Sequence, residues 1–70
     1  MSRTPVRSSN IRSVGYDGAR GQLEIEFQDG HVYQYSGVSE STFSALMRSW
    51  SKGTYFHDFI KDRYGYRRVA

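Results

Sequence analysis

One stretch of alternating apolar and polar residues limits what this 70-residue chain can fold into. Residues 22–28 read Gln-Leu-Glu-Ile-Glu-Phe-Gln, a period of two that is typical of an antiparallel strand with one buried face. Asp29-Gly30 follows directly, and such a pair is a strong signal for a hairpin turn. The chain is therefore predicted to return over residues 31–37 as a neighbouring strand.

The length of the hairpin loop decides which way Tyr33 and Tyr35 point, because moving the register by one residue sends every side chain to the other face. A two-residue loop would expose both rings and bury polar side chains, at about 1–3 kcal/mol for each unsatisfied group. A three-residue loop over 28–30, with its glycine left-handed, pairs Ile25 with Tyr33 and Leu23 with Tyr35. We predict this second register, with both tyrosines largely buried. The exposed sheet face is then predicted to carry Glu24, Glu26, Val32 and Gln34.

The residues before the hairpin divide into a leader and a first strand. Residues 1–9 have little to bury and are predicted to form a flexible leader. Residues 11–17 are compatible with a strand that places Val14 and Tyr16 on one face.

Two helices are predicted after the hairpin. Ser39 is a good cap for the first, whose apolar stripe would consist of Phe43, Leu46, Met47 and Trp50. Gly53 is predicted to end this helix in the left-handed conformation, and Thr54 to cap a second helix that runs to about residue 63. The buried side of the second helix would consist of Phe56, Phe59 and Ile60, with Tyr55 at its edge.

These elements predict an α+β fold, in which a three-stranded antiparallel meander is followed by two short helices packed on one face. The tail over residues 64–69 is compatible with either a short C-terminal edge strand or an irregular segment. No repeat or linker divides the chain, so one domain is expected over residues 10–70.

Composition narrows the class of protein. The absence of cysteine excludes disulfides and thiolate metal sites, and it favours a reducing, cytoplasmic location. The chain shows neither a signal peptide nor an apolar run of membrane-spanning length, so no membrane partner is expected. Eleven aromatic residues are present, and rings must supply much of the core of so small a domain.

The histidine and carboxylate side chains form no pattern that is typical of a catalytic or metal-binding site. His31 and His57 have no partner at a spacing typical of metal ligands. Glu24 and Glu26 lie two apart on an open strand face, where no pocket would shift their pKa. The sequence therefore predicts a protein that is not an enzyme and that needs neither a cofactor nor a metal.

The basic residues suggest where an anionic partner would bind. Ten basic residues against seven acidic ones give a formal charge of +3, and eight of the ten are arginines, whose planar fork suits phosphate. Two glutamates on the sheet face would repel phosphate, so a nucleic-acid site is predicted on the helical and C-terminal side. The candidate binding residues are Lys52, Tyr55, Lys61, Arg63, Tyr64, Tyr66, Arg67 and Arg68. The same residues are also compatible with a segment that packs its tyrosines on the sheet edge and leaves its charges in water.

Several short motifs together resemble the KTSC domain. They are Ser8-Ser9-Asn10-Ile11, Tyr16-Asp17, Leu23-x-Ile25-x-Phe27-x-x-Gly30-x-x-Tyr33-x-Tyr35-x-x-Val38, Ser51-x-Gly53-x-Tyr55-Phe56 and Ile60-Lys61. The similarity spans residues 8–69 and departs from the family pattern at Ser49, where an alanine is expected. The resemblance implies a stand-alone copy of a module that is similar to the C-terminal extension of some lysyl-tRNA synthetases. Of the family motif, only the positions Tyr33, Tyr35, Ser51 and Gly53 can be transferred to this chain. The hairpin register predicts a structural role for both tyrosines.

Three functional hypotheses follow in order. The first is a non-enzymatic module that binds RNA rather than DNA, either tRNA-like or single-stranded, since the resemblance and the Arg/Tyr-rich end favour it. The second is a protein-interaction or adaptor module that is monomeric or weakly homodimeric and uses a sheet edge or exposed rings. An enzyme acting on a small anion ranks last, because no nucleophile is paired with a base.

Overall fold

The strands of this protein form one antiparallel sheet in which every strand pairs with its neighbour in the chain. A computed structural model describes all residues, 1–70. The elements are β1 (Arg3–Pro5), β2 (Ile11–Asp17), β3 (Gln22–Phe27), β4 (Val32–Tyr35), α1 (Glu40–Arg48), α2 (Lys52–Phe59) and β5 (Tyr66–Arg68). The predicted α+β class, the meander followed by two helices and the short C-terminal edge strand are all confirmed.

The hairpin between β3 and β4 has the predicted three-residue loop. Ile25 pairs with Tyr33 and Leu23 with Tyr35. Gly30 has a φ of 92°, in the left-handed region that glycine enters most easily. Both tyrosines therefore face the helices. Tyr35 is only 4% exposed, which confirms its predicted burial, whereas Tyr33 is half-buried beside an open cavity.

The core lies between the sheet and the two helices. Its buried members are Ile11, Val14, Leu23, Ile25, Tyr35, Val38, Leu46, Phe56 and Ile60. At one side of this core Tyr16 stacks on Phe43 with ring centroids 4.7 Å apart, and the Tyr16 hydroxyl donates to the Val38 carbonyl oxygen at 2.6 Å. These contacts join β2 to α1 and to the loop before it.

The N-terminal residues differ from the predicted leader. Residues 3–5 form an exposed edge strand, β1, that pairs with β2. The close approach depends on Gly15, because a Cβ atom there would lie 2.6 Å from the backbone oxygen of Ser2. The composition of residues 1–9 could not reveal this strand, since the residue that admits it lies elsewhere in the chain.

The sheet face opposite the helices carries a polar network rather than the solvated side chains that we predicted. Glu24 is only 8% exposed and accepts hydrogen bonds from Arg3 at 2.6 Å and from Gln34 at 2.9 Å. Arg67 donates to the amide oxygen of Gln34, so the network runs from β1 to β5. The predicted exposure of Glu24 and Val32 is wrong, because Arg3 of the unexpected strand β1 contacts Glu24 and the C-terminal residues pair with the backbone of Val32.

This network makes the stability of the protein sensitive to acid. Burial alone would raise the pKa of Glu24, but hydrogen bonds from Gln34 and Arg3, together with the Arg3 charge, lower that pKa below its usual value. The carboxylate therefore stabilises the fold above the pKa of about 4.3 that a glutamate has in an unfolded chain, and this stability is lost as pH falls through the lower folded value.

We expect Glu24→Gln to lower the free energy of unfolding at neutral pH by about 1–2 kcal/mol, since charge-assisted hydrogen bonds are lost. The difference in the free energy of unfolding between this variant and the parent should shrink as the pH falls below about 4. Urea unfolding across this pH range measures it. Glu40→Gln, at an exposed carboxylate without an ion pair, is the control and should show a smaller pH dependence. A difference that stays constant with pH would contradict the assignment.

The first helix begins as predicted and ends sooner. Ser39 caps α1 by accepting the backbone N–H of Thr42 at 3.2 Å. At the other end the hydroxyl of Ser49 donates to the Leu46 carbonyl oxygen at 2.7 Å, and the backbone of Ser49 is extended. Trp50 therefore lies beyond the helix and is fully exposed, so its predicted place in the apolar stripe is wrong.

The second helix begins earlier than predicted. Its cap is Ser51, whose hydroxyl oxygen accepts the backbone N–H of Thr54 at 3.3 Å, so the predicted roles of Gly53 and Thr54 are wrong. Gly53 instead lies inside the first turn, where a Cβ atom would be 3.3 Å from the side-chain nitrogen of Asn10. This close approach seats the N-terminal segment against α2.

The buried side of α2 is narrower than predicted. Phe56 and Ile60 are buried, as expected. Phe59 is 52% exposed and stacks on Tyr55 with ring centroids 4.7 Å apart, so its predicted burial is wrong. The helix itself ends at Phe59 rather than near residue 63, and the connection to β5 leaves room for a cavity.

Candidate nucleic-acid interface

A cavity of about 300 Å³ opens beside the tyrosine pair, on the helical side of the sheet. We call it the tyrosine pocket, and its lining residues are Phe27, Asp29, His31, Tyr33, Tyr35, Phe56, Lys61, Asp62 and Tyr66. Strands β3, β4 and β5 and helix α2 supply the five rings among them. Two loops supply the four charged or titratable side chains, namely the hairpin turn and the connection from α2 to β5.

The rings of the pocket pack closely against one another. Tyr66 pairs with Tyr35 across the last two strands, and its ring centroid lies 5.6 Å from those of both Tyr33 and Tyr35. Phe56 meets Tyr35 edge to face at 5.5 Å and Phe27 at 5.3 Å. Rings this close leave no space for a ligand between them. Tyr66 is the most exposed of them and Tyr33 is half-buried, so these two rings, whose planes are 30° apart, offer the surface on which a flat group can stack.

Charges of both signs line the sides of this surface. On the hairpin side, Asp29 lies 3.2 Å from the His31 ring nitrogen and also accepts the backbone N–H of His31 at 2.9 Å. On the other side, Lys61 and Asp62 take part in no ion pair. The pocket thus offers a cation and an unpaired carboxylate beside a ring surface.

Tyr35 is the most deeply buried tyrosine of the pocket, and its phenol ionises at a higher pH than an ordinary tyrosine. Burial raises the pKa of Tyr35 to about 12, with smaller contributions from Tyr33, Tyr66 and Asp62. The neutral phenol therefore stabilises the fold below the usual tyrosine pKa of about 10. That stability is lost as pH rises from the unfolded value toward the folded one.

We expect an absorbance titration of the six tyrosines to show one that ionises last, near pH 12. Tyr35→Phe should remove this last step, because phenylalanine has no proton to lose. The variant should also lose less stability than the parent as the pH is raised above about 10. A last step that persists in Tyr35→Phe would assign it to another tyrosine.

The predicted binding residues are only partly brought together. Lys61 and Tyr66 line the tyrosine pocket, and Arg68 lies opposite Tyr33 in the pairing of β4 and β5, so its side chain points to the same face. Arg67 lies on the opposite face, where it contacts Gln34. The pleat of β5 divides the two arginines, since neighbouring residues of a strand point to opposite faces.

The other predicted residues lie outside the pocket. Lys52 is in the first turn of α2, with its ammonium 3.5 Å from the Ser49 carbonyl oxygen. Tyr55 is half-buried along the same helix, and Tyr64 packs against the core. Arg63 is exposed in the connection before β5. Of the motif positions, Tyr33 and Tyr35 line the pocket, whereas Ser51 and Gly53 shape the start of α2.

The distribution of ion pairs leaves an excess of free positive charge. Arg3, Arg12 and Arg20 pair with carboxylates, and the other seven of the ten basic residues do not. Only Glu40 and Asp62 are free among the acidic residues. Five of the seven free cations lie from α2 onward: Lys52, Lys61, Arg63, Arg67 and Arg68. This half of the protein is therefore the part that favours an anionic partner.

Sequence reasoning missed several exposed or pocket-lining residues. Trp50 is fully exposed, and the serines on both sides of it are the only local sign that two helices meet there. Asp62 has a φ of 62°, the only positive value outside the glycines, and nothing in its neighbourhood in the chain predicts this. Asp29 and His31 line the pocket together with Lys61 and Asp62, which lie far from them in the chain, so no local pattern could group these residues.

Two further properties bear on function. No group of three or more side chains is arranged to hold a metal ion. Neither helix has the length and apolar character needed to cross a bilayer.

The chain is similar in sequence and in structure to small proteins and domains of one family. Residues 7–64 match the sequence model of the KTSC domain. An uncharacterized protein of Stutzerimonas stutzeri is 37% identical over 70 residues, with 99% of each chain covered. The crystal structure of a KTSC domain protein from Yersinia pestis superposes with a TM-score of 0.94 at 41% identity, covering 99% of this chain and 97% of that one.

A segment of a much larger enzyme is also similar. The lysine–tRNA ligase of Trichormus variabilis is 36% identical over 62 residues, which cover 89% of this chain and 11% of the ligase. A lysine–tRNA ligase of a Nostoc species shows 34% identity over the same length and the same shares. The chain thus corresponds to about a tenth of these enzymes.

Proposed function

This chain belongs to the KTSC domain family, and from that premise we propose that it is a non-enzymatic module that binds RNA. The observation that carries the proposal is the tyrosine pocket, an apolar ring surface lined by the free cation Lys61, with Arg68 on the same face of the sheet. Proteins that bind single-stranded nucleic acid combine these two elements, because bases stack on rings while cations track the phosphates. The absence of cysteine fits action in a reducing compartment such as the cytoplasm.

Kinship with a segment of lysine–tRNA ligases supports RNA as the partner. Those enzymes are ligases that act on a tRNA, and a segment of such an enzyme is well placed to contact that RNA. Single-stranded loops and ends are the favoured targets, since only unpaired bases can reach a ring surface inside a cavity. A tRNA-like or single-stranded RNA is therefore the proposed ligand.

The two faces of the sheet differ in the basic side chains that they offer to RNA phosphates. On the face away from the helices, ion pairs join Glu24 to Arg3 and Glu26 to Arg12, so these two arginines are already neutralised. On the pocket face, Lys61 has no ion-pair partner, and Arg68 pairs with no side-chain carboxylate and donates to the backbone oxygen of Ala70 at 2.9 Å. We therefore assign the RNA to the pocket face, with Arg63 and Lys52 extending the contact along the helical side.

A titration of fluorescently labelled single-stranded RNA, followed by anisotropy at low and moderate salt, tests the proposal. We expect affinity that falls with salt, with a log–log slope of about −0.7 for each phosphate neutralised. Lys61→Gln combined with Arg68→Gln should weaken binding and flatten that slope. Arg48→Gln removes a free cation from α1 and is the matched control. Absence of binding at low salt would reject RNA binding.

Trp50 supports a second candidate, a protein-interaction module. A tryptophan that is fully exposed between two helices is unusual for a residue of its size and is a common anchor of protein interfaces. If Trp50 docks a second copy of this chain, light scattering should show a mass that rises with concentration in the parent and stays monomeric in Trp50→Ala. A concentration-independent monomer that binds RNA and captures no protein would reject this candidate.

A further inference from the structure

Asp62 is the residue of the tyrosine pocket that the proposed function leaves unexplained. Its side chain lines the cavity beside Lys61, although the free cations from α2 onward favour a negatively charged ligand. Its carboxylate makes neither a hydrogen bond nor an ion pair with the protein. A purely electrostatic phosphate site would be better without this charge.

The backbone of Asp62 is also in a costly conformation. Its φ of 62° lies in the left-handed region, which few residues other than glycine adopt, although aspartate and asparagine are enriched there. Such conformations persist when the surrounding structure enforces them, and they concentrate at ligand sites. Here the left-handed residue turns the chain directly after Lys61 and places both side chains along the cavity.

The chemistry of the pocket limits which flat group it suits. A carboxylate can only accept hydrogen bonds, so it needs a ligand edge that carries donors. Among the unpaired bases, guanine presents two adjacent N–H donors on its Watson–Crick edge, and both can meet one carboxylate. Adenine, cytosine and uracil each place an acceptor beside their donor, which the same carboxylate repels.

We propose that the tyrosine pocket receives one unpaired guanine, stacked on the rings of Tyr33 and Tyr66, with its donor edge on the Asp62 carboxylate. This inference rests on the proposed RNA-binding function and names the base that the site selects. Lys61, the neighbour of Asp62, is placed to meet the phosphate of the same nucleotide. The mixed charges of the pocket thus match a ligand with a donor edge at one end and an anion at the other.

The volume of the pocket and the packing of its rings indicate that the ligand is a single base. A volume of about 300 Å³ lies at the lower end for small-ligand sites, so one nucleotide fits and a stacked pair does not. Rings around a carboxylate also bind quaternary ammonium groups, such as trimethylated lysine. That ligand is less favoured here, because Lys61 would repel it and the close-packed rings form a surface rather than a cage.

The experiment compares two labelled oligouridylates that differ at one central position, guanosine in one and adenosine in the other. We expect the parent to bind the guanosine oligomer about tenfold more tightly, the lower end of what a bidentate contact to a base provides. Asp62→Asn should bring the two affinities close to parity, because the amide retains one acceptor and gains a donor. Asparagine tolerates the left-handed conformation, so this variant should keep the fold.

Asp58→Asn is the matched control, since it removes the same charge from an exposed position of α2 outside the pocket. It should keep the preference for guanosine. Equal and measurable affinity of the parent for both oligomers would overturn the guanine assignment and leave RNA binding intact. A preference that survives Asp62→Asn would also overturn it. Binding of neither oligomer at low salt, with saturable binding of a trimethyl-lysine peptide, would overturn the proposed function as well.

Discussion

Leu46→Ala is expected to destabilise this protein severely, whereas Trp50→Ala is expected to leave its stability almost unchanged. Leu46 is completely buried between α1 and the sheet, and truncating such a leucine costs about 2–5 kcal/mol through lost burial and the cavity left behind. A domain of this size has a stability of that order. Trp50 is fully exposed, so its loss should change the free energy of unfolding by about 0.5 kcal/mol or less.

Urea unfolding followed by circular dichroism measures both variants under the same conditions. The pair is informative because the helical pattern of the sequence assigns both residues to one buried stripe, and only the structure separates them. A large loss of stability in Trp50→Ala would show that the tryptophan packs against the protein. A small loss in Leu46→Ala would show that the core is looser than the contacts indicate.

Tyr66→Ala is expected to lower the affinity for single-stranded RNA by about 5- to 100-fold, because a base stacked on an aromatic ring contributes about 1–3 kcal/mol. The ring lines the tyrosine pocket and is 59% exposed, so its loss should cost the fold about 1 kcal/mol or less. Phe59→Ala removes a ring of similar exposure outside the pocket and should leave RNA affinity unchanged.

Anisotropy titrations of the three proteins with one labelled RNA provide the comparison, and thermal unfolding confirms that each variant is folded. An equal effect of both substitutions would indicate that RNA contacts the whole helical side rather than the pocket. An effect of Phe59→Ala alone would move the site to the outer face of α2, beside Tyr55.

The hairpin and its register follow from the sequence because their determinants are local. The alternation of β3, the Asp29-Gly30 turn and the cost of burying polar groups together select one loop length. The helix start at Ser39 is predictable for the same reason, since its capping contact lies three residues away. The residue that anchors β1, Gly15, lies ten or more residues from that strand, so composition alone could not predict the pairing.

The ends of the helices are set by contacts that a periodic pattern does not contain. An apolar stripe at helical spacing extends naturally to Trp50, but α1 ends two residues earlier, at Arg48, where the hydroxyl of Ser49 donates to the Leu46 carbonyl oxygen. Ser51 then starts the next helix after a single residue.

The candidate site could be predicted only in part, because it too depends on contacts and backbone conformations that a local sequence pattern does not contain. Lys61 and Tyr66 are recognisable as a cation and a ring near the C-terminus, and both line the tyrosine pocket. The division of Arg67 from Arg68 depends on the pleat of β5, whose existence the sequence left open. The contribution of Asp62 depends on a backbone conformation that no local pattern specifies.

The two outer strands have a consequence for the behaviour of the protein at high concentration. Exposed edges invite pairing with other chains, and proteins protect them with short strands, proline and charge. β1 and β5 each have three residues, and they contain Arg3, Pro5, Arg67 and Arg68. Edge-to-edge polymerisation should therefore be slow, and a self-association that is nevertheless observed would have to use another surface than the ends of the sheet.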